Sequence, residues 1–319
     1  MKFDDIDMCY LAGMFDGDGS FSLIKRIERD HRSPLYFPLI QLGASGDDLL
    51  SLLKMRFGGY INLKESHLSN EGFLRKNFFR FKLEKAAQCK PFLEMIIPYL
   101  KLKQQRAQIL LDYINDHPFI RGSRKISDDV LFEREKVWTK MQQLNSESYV
   151  MNTNLDRNKL SSPTPDHFWA YIAGLMDSDG SFSINADGYS PVIQLSMIDV
   201  RGINYLNHNF PGGNIQVIHA NTCKCGFTYR WSTKKLDVCK NFLFHIIPHL
   251  RVKRNSAGCL LEYLEGRVTT KYRQGGVSQD DMEYRRHYHA KIKCINKHGV
   301  YKPSLIDLEG QEQADRAQA

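Results

Sequence analysis

The chain has 319 residues, of which 42% are hydrophobic and 25% are charged, a balance typical of a globular protein with room for two hydrophobic cores. Its formal net charge of +8 favours a polyanionic partner without identifying one. No apolar segment is long enough to cross a membrane, and the seven scattered cysteines are expected to be reduced thiols. The acidic first residues lead directly into an apolar helix, so no cleaved import peptide is predicted. Membrane-spanning and disulfide-stabilised secreted classes are therefore excluded.

A twelve-residue segment of this chain occurs twice. Residues 10–21 read Tyr-Leu-Ala-Gly-Met-Phe-Asp-Gly-Asp-Gly-Ser-Phe, and residues 171–182 read Tyr-Ile-Ala-Gly-Leu-Met-Asp-Ser-Asp-Gly-Ser-Phe. Each copy starts as an apolar helix that ends in two aspartates and a glycine, and then alternates as a strand does. A glycine inside a helix costs about 1 kcal/mol relative to alanine. Close packing of the two motif helices would offset that cost, so we predict a helix interface at Ala12, Gly13, Ala173 and Gly174.

The first motif is followed by a predicted order of two strands, a helix, two strands and two helices. A double glycine ends the first of these helices, and Pro98 ends the next. A turn is predicted at residues 69–72. The predicted strands and helices occupy residues 20–28, 36–43, 47–56, 60–66, 73–84, 85–97 and 100–115.

The second half of the sequence repeats this order beyond the motif itself. A shift of 150 residues places Lys253 on Lys103 and Pro248 on Pro98. Such self-similarity indicates a duplicated domain. We therefore predict an α+β fold of two pseudo-symmetric αββαββα halves, each a four-stranded antiparallel sheet backed by helices, packed through the two motif helices.

The predicted division of the chain has four parts. A helix at residues 128–144 and a polar linker separate the halves, and a basic helix at 280–295 precedes a polar tail. The linker is predicted to end with Thr164 as the cap of the second motif helix and Pro165 in its first turn. The boundaries are 1–120 for the N-terminal half, 121–165 for helix and linker, 166–268 for the C-terminal half and 269–319 for the basic helix and tail.

Two carboxylates are the first candidates for chemistry. If the motif helices pack together, Asp18 and Asp179 come close, and such a pair is repulsive unless a cation lies beside it. No His or Cys accompanies them, so an all-oxygen site favours Mg²⁺ over zinc. Metal beside a phosphate implies phosphodiester hydrolysis. A role as a simple turn residue stays open for either aspartate alone.

The other motif aspartates, Asp16 and Asp177, receive a different interpretation. An EF-hand counted from Asp16 would need glycine where Phe21 stands and glutamate where Ile27 stands, so a calcium loop is rejected. We predict that Asp16 and Asp177 shape the local turn or accept hydrogen bonds from backbone N–H groups rather than bind metal.

The two segments resemble the motif of the LAGLIDADG homing endonucleases, in the form that carries two copies in one polypeptide. The resemblance covers both motifs and, less tightly, most of the chain between and after them. It implies that Asp18 and Asp179, with Gly17 and Ser178, hold two or three divalent cations. Mg²⁺ is the expected cofactor, Mn²⁺ is expected to substitute, and Ca²⁺ to bind without supporting cleavage.

Two lysines acquire a catalytic role from the same resemblance. In the family a basic residue after a Pro-x-Leu-x-x-Lys pattern lies beside the scissile phosphate, which implies that role for Lys103 and Lys253. The alternative for both is an ordinary solvated or phosphate-contacting lysine.

The strands are predicted to present a polar face for recognition. Period-two alternation puts Phe21, Leu23 and Ile27 inward in the first strand, although Ile24 and Lys25 interrupt the pattern. The outward side chains suit base edges and phosphates, but such a face can also be merely solvated. The predicted DNA contacts are Ser20, Ser22, Arg26, Gln41, Asn62, Lys64, Arg80, Lys82, Ser183, Asn185, Gln194, Ser196, Asn214, Gln216, Thr228, Arg230 and Ser232.

The resemblance supports two of these contacts and leaves one departure. Gln41 and Gln194 match a family position that touches DNA. The family often has a further polar residue three positions later that organises active-site water, where this chain has Ala44 and Met197.

The leading hypothesis is a monomeric, Mg²⁺-dependent, site-specific double-strand DNA endonuclease encoded within an intron, with each half cutting one strand of a long asymmetric site. The alternatives are an RNA-binding intron maturase and a non-cleaving DNA-binding regulator on the same fold. No membrane partner and no small-molecule substrate are expected. The protein is expected to work where it is made, beside its DNA target, in an organelle or in a bacterial or archaeal cytoplasm, and not to be secreted.

Overall fold

The computed structural model describes residues 3–27, 33–44, 48–64, 78–117, 126–147, 164–219, 226–266 and 278–298. The first half begins with the helix of the first motif and continues through a sheet to three further helices. Its elements are α1 (Asp5–Gly17), β1 (Ser20–Arg26), β2 (Leu35–Ala44), α2 (Asp48–Phe57), β3 (Tyr60–Lys64), β4 (Phe78–Leu83), α3 (Ala86–Ile96), a 3-10 turn (Ile97–Tyr99), α4 (Gln104–Asp116) and α5 (Asp128–Glu147).

The second half repeats this order, which confirms the predicted α+β fold of two pseudo-symmetric halves. Thr164 caps its first helix by accepting from the backbone N–H of His167. None of the described helices is long and apolar enough to cross a membrane. The elements are α6 (Pro165–Asp179), β5 (Gly180–Ile184), β6 (Pro191–Met197), α7 (Val200–Asn209), β7 (Asn214–His219), β8 (Phe227–Thr233), α8 (Leu236–Ile246), α9 (Arg254–Gly266) and α10 (Gln279–His298).

Each half contains one antiparallel sheet of four strands, ordered β1-β2-β4-β3 in the first half and β5-β6-β8-β7 in the second. In both sheets one face packs against helices, as the burial of Phe21, Phe81, Phe182 and Trp231 shows. We call the opposite side the open face. The predicted turn at 69–72 and the predicted strand residues 65–66 and 73–77 lie outside the described residues.

Helices α5 and α10 are the matching last helices of the two halves. Helix α5 lies against α4 and β1, where Lys25 Nζ contacts Glu135 at 2.7 Å. Helix α10 lies against α9 and β5, where the Asn296 side-chain amide donates to the carbonyl of Phe182 at 2.9 Å. The division at residues 121 and 269 stays a prediction, and these contacts favour assigning α5 to the first half and α10 to the second.

The first strand resolves an ambiguity in its sequence. Strand β1 runs without a break from Ser20 opposite Gln41 to Arg26 opposite Leu35. Lys25 therefore lies on the helix-backed face, where Glu135 neutralises it and the Trp138 ring lies 5.1 Å from its Nζ. Ile27 was predicted to face inward and this is wrong, since it follows the end of the strand and is 77% exposed.

Candidate active site

The two motif helices meet backbone to backbone. A Cβ atom added at Gly13 would lie 2.0 Å from the carbonyl oxygen of Tyr171, and one added at Gly174 would lie 2.1 Å from that of Tyr10. No side chain can occupy such a gap, because real Cβ contacts are not this short. The helices can therefore approach this closely only with glycine at both positions.

This contact brings the second aspartates of the motifs to one place. Burial first, and then the nearby charge of Asp18, raise the pKa of Asp179 to about 6. Burial also raises the pKa of Asp18, while the charges of Lys103 and Lys253 oppose the shift. Both carboxylates reach solvent, yet enough protein surrounds them to remove part of their hydration. The site therefore holds two negative charges that disfavour each other.

The residues just before these aspartates differ between the halves. A Cβ atom at Gly17 would lie 1.9 Å from Ser178 Oγ, 2.8 Å from Ser178 Cβ and 3.4 Å from Asp179 Oδ2. The Ser178 hydroxyl turns back onto its own helix and donates to the carbonyls of Gly174 and Leu175 at 3.2 and 3.0 Å. The absence of a side chain at Gly17 thus leaves the space that the Ser178 side chain occupies.

The first aspartate of each motif anchors the backbone that precedes the following helix. Asp16 accepts hydrogen bonds from the N–H groups of Lys101, Leu102 and Lys103 at 2.8, 3.0 and 2.8 Å. These three N–H groups lie directly before α4, which starts at Gln104, so Asp16 fixes the entry of the chain into that helix. The Tyr171 hydroxyl of the other half adds a fourth hydrogen bond of 2.8 Å.

The second half repeats this arrangement with the same distances. Asp177 accepts from the N–H groups of Arg251, Val252 and Lys253 at 2.8, 3.0 and 2.8 Å, and from the Tyr10 hydroxyl at 2.8 Å. Asp16 and Asp177 thus accept backbone hydrogen bonds, as expected, but from another segment of the chain. The tyrosine donors were missed, although each motif copy begins with a tyrosine in an otherwise apolar helix.

The two lysines point at the ends of the motif helices. Lys103 Nζ donates to the carbonyls of Phe15, Gly17 and Gly19 at 2.9, 2.7 and 2.8 Å. Lys253 Nζ donates to the matching carbonyls of the second half at 2.9, 2.9 and 2.7 Å. An ammonium has three donors. Both side chains therefore serve as C-terminal caps for the motif helices, a role that neither sequence interpretation had considered.

The donor set at this junction suits a hard divalent cation. It consists of two carboxylates that raise each other's energy and two backbone carbonyls, those of Gly17 and Ser178, each of which has a second lone pair beside its lysine hydrogen bond. Oxygen ligands of this kind favour Mg²⁺, Mn²⁺ or Ca²⁺. Among the described residues no group of three or more His, Cys, Asp or Glu side chains could hold a metal. A cation here would therefore depend on carbonyls and water in addition to the two aspartates.

Most of the predicted recognition residues share the open faces. In the first sheet the row nearest Asp18 is Ser20, Gln41, Lys82 and Tyr60. Lys64 lies opposite Phe78 in the register, and its side chain lies outside the described part of the chain. The other predicted contacts of this sheet that lie on the open face are Ser22, Asn62, Arg26 and Arg80.

The second sheet has a corresponding row of Ser181, Gln194, Ser232 and Asn214. Ser181 was missed, although it stands in its motif copy where Ser20 stands in the first. Ala44 and Met197 are 6% and 5% exposed and belong to the core. They cannot therefore order water at the junction. The remaining predicted positions on this face are Ser183, Ser196, Gln216, Thr228 and Arg230, with Asn185 directly after β5.

No protein-family model and no curated protein sequence matches this chain. Among solved structures, that of the LAGLIDADG homing endonuclease I-GzeII in complex with a DNA target is similar, with a TM-score of 0.62 and 16% sequence identity, over 89% of this chain and 97% of that one. The chain has the LAGLIDADG homing endonuclease fold. The meganuclease I-SmaMI bound to uncleavable DNA is also similar, with a TM-score of 0.56 and 15% identity over 93% and 99% of the two chains.

A third comparison concerns a metal. The structure of I-SmaMI bound to an uncleaved DNA target in the presence of calcium ions has a TM-score of 0.55 and 14% identity, over 92% of this chain and 99% of that one. At these identities the likeness establishes the LAGLIDADG fold and no more.

Proposed function

We propose that this protein is a metal-dependent endonuclease that cuts both strands of a long, asymmetric DNA duplex. The observation that carries the proposal is the pair Asp18 and Asp179, brought together by the glycine contact of α1 and α6. Burial raises the pKa of both carboxylates, and the charge of Asp18 raises that of Asp179 further, so a cation that binds between or beside them lowers their energy. The formal net charge of +8 and the two polar open faces supply the surface for a polyanion.

Each residue of the junction has a defined task in this proposal. Asp18 and Asp179, with the carbonyls of Gly17 and Ser178, hold Mg²⁺, for which Mn²⁺ substitutes, while Ca²⁺ binds without cleavage. Divalent cations held there would supply a water molecule of lowered pKa and positive charge for the leaving oxygen. Lys103 and Lys253 fix the carbonyls that carry the site, and contact with the scissile phosphate would require each ammonium to exchange one of its three carbonyl hydrogen bonds.

Both open faces would lie along the duplex, one on each side of the junction. The two halves carry different side chains, so the site is not a perfect palindrome. Because one chain supplies both halves, the protein acts as a monomer. It is proposed to be the product of an intron reading frame and to work in the compartment where it is made and where its target lies.

A randomised duplex library provides the test. The library is incubated with protein and Mg²⁺, and the cut ends are sequenced to define the site, which is then placed in a supercoiled plasmid. We expect linear product from the native protein. We expect none from Asp18→Asn or Asp179→Asn, because each change removes one ligand charge while keeping the side-chain size.

The control is Asp237→Asn, at an exposed position of α8 on the helix-backed side. It should cut as the native protein does. Linear plasmid from the double variant Asp18→Asn/Asp179→Asn would show that the active site lies elsewhere. Binding that is indifferent to Mg²⁺ and never followed by cleavage would instead support a regulator, and preferential binding of intron RNA would support a maturase.

A further inference from the structure

The open faces of the two sheets differ in charge at matched positions. The described cations are Arg26, Arg80 and Lys82 in the first sheet, whereas Arg230 is the one described cation of the second. Arg80 and Arg230 occupy equivalent places, opposite Gly43 and Ser196. Lys82, in contrast, corresponds to Ser232, since these two residues lie opposite Gln41 and Gln194.

The first hairpin shows the same difference. Arg26 closes the β1–β2 ladder opposite Leu35 and is exposed. The offset that relates the two motif copies places Arg26 on Asp187, an exposed residue in the turn between β5 and β6. One hairpin thus presents a cation where the other presents an anion. Repulsion from phosphate disfavours the second hairpin as an anchoring surface.

The cations of the first sheet rest on aromatic rings. Arg26 lies 5.1 Å from the ring centroid of Phe37, and Lys82 lies 5.8 Å from that of Tyr60. Arg80 lies 6.0 Å from the ring of Phe78. Contact with a ring limits the motion of a long side chain while its charge stays available to solvent. These side chains therefore lose less conformational freedom when they meet phosphate.

The uncharged side chains differ as well. On the first open face Ile24 pairs with Phe37, and both are partly exposed. The second carries three partly or fully exposed amides, Gln194, Asn214 and Gln216, among serine and threonine hydroxyls, whereas the first carries two, Gln41 and Asn62. Apolar side chains recognise the thymine methyl group, and amides bind adenine N6 and N7 in the major groove.

We propose that the halves divide the recognition of DNA: the first anchors the duplex through phosphates and thymine methyl groups, and the second reads base edges through amide hydrogen bonds. This inference rests on the proposed function. It makes the protein functionally asymmetric although its backbone is pseudo-symmetric. The anchoring half controls salt dependence, and the reading half controls sequence discrimination.

Salt dependence tests the anchoring role. The affinity for a duplex of arbitrary sequence is measured against NaCl concentration in Ca²⁺, and each phosphate contact contributes about 0.9 to the logarithmic slope. The matched pair Arg80→Ser and Arg230→Ser calibrates one contact in each half. Lys82→Ser and Arg26→Ser should each lower the slope by about 0.9, and Ser232→Lys should raise it by about 0.9.

The control for charge alone is Lys240→Ser, on an exposed position of α8 on the helix-backed side, which should leave the slope unchanged. Unchanged slopes in both Lys82→Ser and Arg26→Ser would overturn the anchoring role. The absence of any salt-dependent duplex binding by the native protein would instead contradict the proposed function, so the two failures are distinguishable.

Base analogues in the target site, once it is mapped by its cut ends, test the reading role. Deoxyuridine in place of thymidine removes one methyl group. In the half-site bound by the first half, this replacement should weaken binding by the native protein about fourfold, and it should not weaken binding by Phe37→Ala. In the half-site bound by the second half, replacing adenine by 7-deazaadenine should weaken binding by the native protein roughly fivefold or more. The same replacement should not weaken binding by Gln216→Ala. The division would be overturned if each analogue weakened binding equally in both half-sites. It would also be overturned if the analogues weakened binding by Phe37→Ala and Gln216→Ala as much as binding by the native protein.

Discussion

At the scale of single residues, the raised pKa of Asp179 gives the site a defined pH dependence. Its folded-state pKa of about 6 lies above the ordinary value of 3.8. Between these values the folded protein binds the proton more tightly than the unfolded chain, so this group stabilises the metal-free protein as the pH falls. A divalent cation binds only the ionised carboxylate, so stabilisation by the cation increases as the pH rises.

We therefore expect Ca²⁺ to raise the melting temperature at a pH above this pKa and to lose that effect below it. Asp179→Asn should raise the metal-free melting temperature near neutral pH, because it removes the repulsion from Asp18, and should abolish the effect of Ca²⁺. Differential scanning fluorimetry over a pH series measures both. The opposite result, a lower metal-free melting temperature near neutral pH and an intact Ca²⁺ effect in the variant, would mean that Asp179 is no ligand.

Asp16 gives a second prediction for a single residue. Both of its carboxylate oxygens accept backbone hydrogen bonds, so Asp16→Asn places an amide N–H against backbone N–H donors. The free energy of unfolding should fall by about 2–4 kcal/mol, since an unsatisfied buried group costs about 1–3 kcal/mol. Tyr171→Phe removes one donor and should cost about 1 kcal/mol. Urea denaturation checks both values, and equal losses in the two variants would contradict this account.

The sequence alone could predict much of the site at this scale. The repeated motif predicted that Asp18 and Asp179 are paired, because they occupy the same position in the two copies. It could not predict that Lys103 caps a helix more than eighty residues away in the chain, since no local pattern records where an ammonium points. Tyr10 and Tyr171 were missed for the same reason, as their partners lie in the opposite half.

At the scale of elements, the glycine contact between α1 and α6 makes a sharp prediction. In Gly13→Ala and Gly174→Ala the new Cβ meets a backbone oxygen at about the 2.0 and 2.1 Å found here, so the helices have to separate. Overpacking of this kind costs about 1–3 kcal/mol, and the junction of Asp18 and Asp179 would open with it.

The matched control is a helical glycine that faces open space. Gly258 in α9 has no atom within 4 Å of an added Cβ, so Gly258→Ala should stabilise the protein by about 1 kcal/mol through helix propensity. Thermal unfolding and plasmid cleavage are measured together. We expect Gly13→Ala to lower both the melting temperature and the rate of cleavage, and Gly258→Ala to lower neither. Full activity in Gly13→Ala would contradict the packing of α1 against α6.

Capping of the motif helices by lysine is the second prediction at this scale. Lys103→Met keeps the aliphatic length but removes three hydrogen bonds to carbonyls, so the free energy of unfolding should fall by about 2–4 kcal/mol. The Ca²⁺-induced rise in melting temperature should shrink as well, since the Gly17 carbonyl would lose its support. Lys54→Met, at an exposed position of α2, is the control. A purely catalytic lysine would slow cleavage and leave both measurements unchanged.

The elements themselves were largely predictable, because hydrophobic periodicity and glycine or proline ends carry their own signal. The exceptions have tertiary causes. Lys25 seemed to interrupt its strand because the partner that permits a cation on the helix-backed face, Glu135, lies in α5. Residues 100–103 carry a helical pattern, yet α4 starts only at Gln104, and the N–H groups of residues 101–103 bind Asp16 of α1.

At the scale of the whole molecule, the packing of two unequal halves in one chain predicts the stoichiometry of the complex. One protein should bind one duplex site, and sedimentation velocity should show no larger species at saturation. The two halves are already joined through α1 and α6, so these helices offer no free surface to a second copy of the chain. A protein dimer on DNA would contradict this arrangement.

The unequal pair Gly17 and Ser178 has a consequence for which halves can pair with each other. Two copies of the first half would place glycine against glycine at this point, where no Cβ atoms would meet. Two copies of the second half would set serine against serine, with the Cβ atoms about 2.8 Å apart, which real structures do not tolerate without a shift. Ser178 is therefore compatible only with a partner that differs from it. A homodimer of the second half would have to move these helices apart, whereas the single chain, with glycine opposite serine, keeps them in close contact.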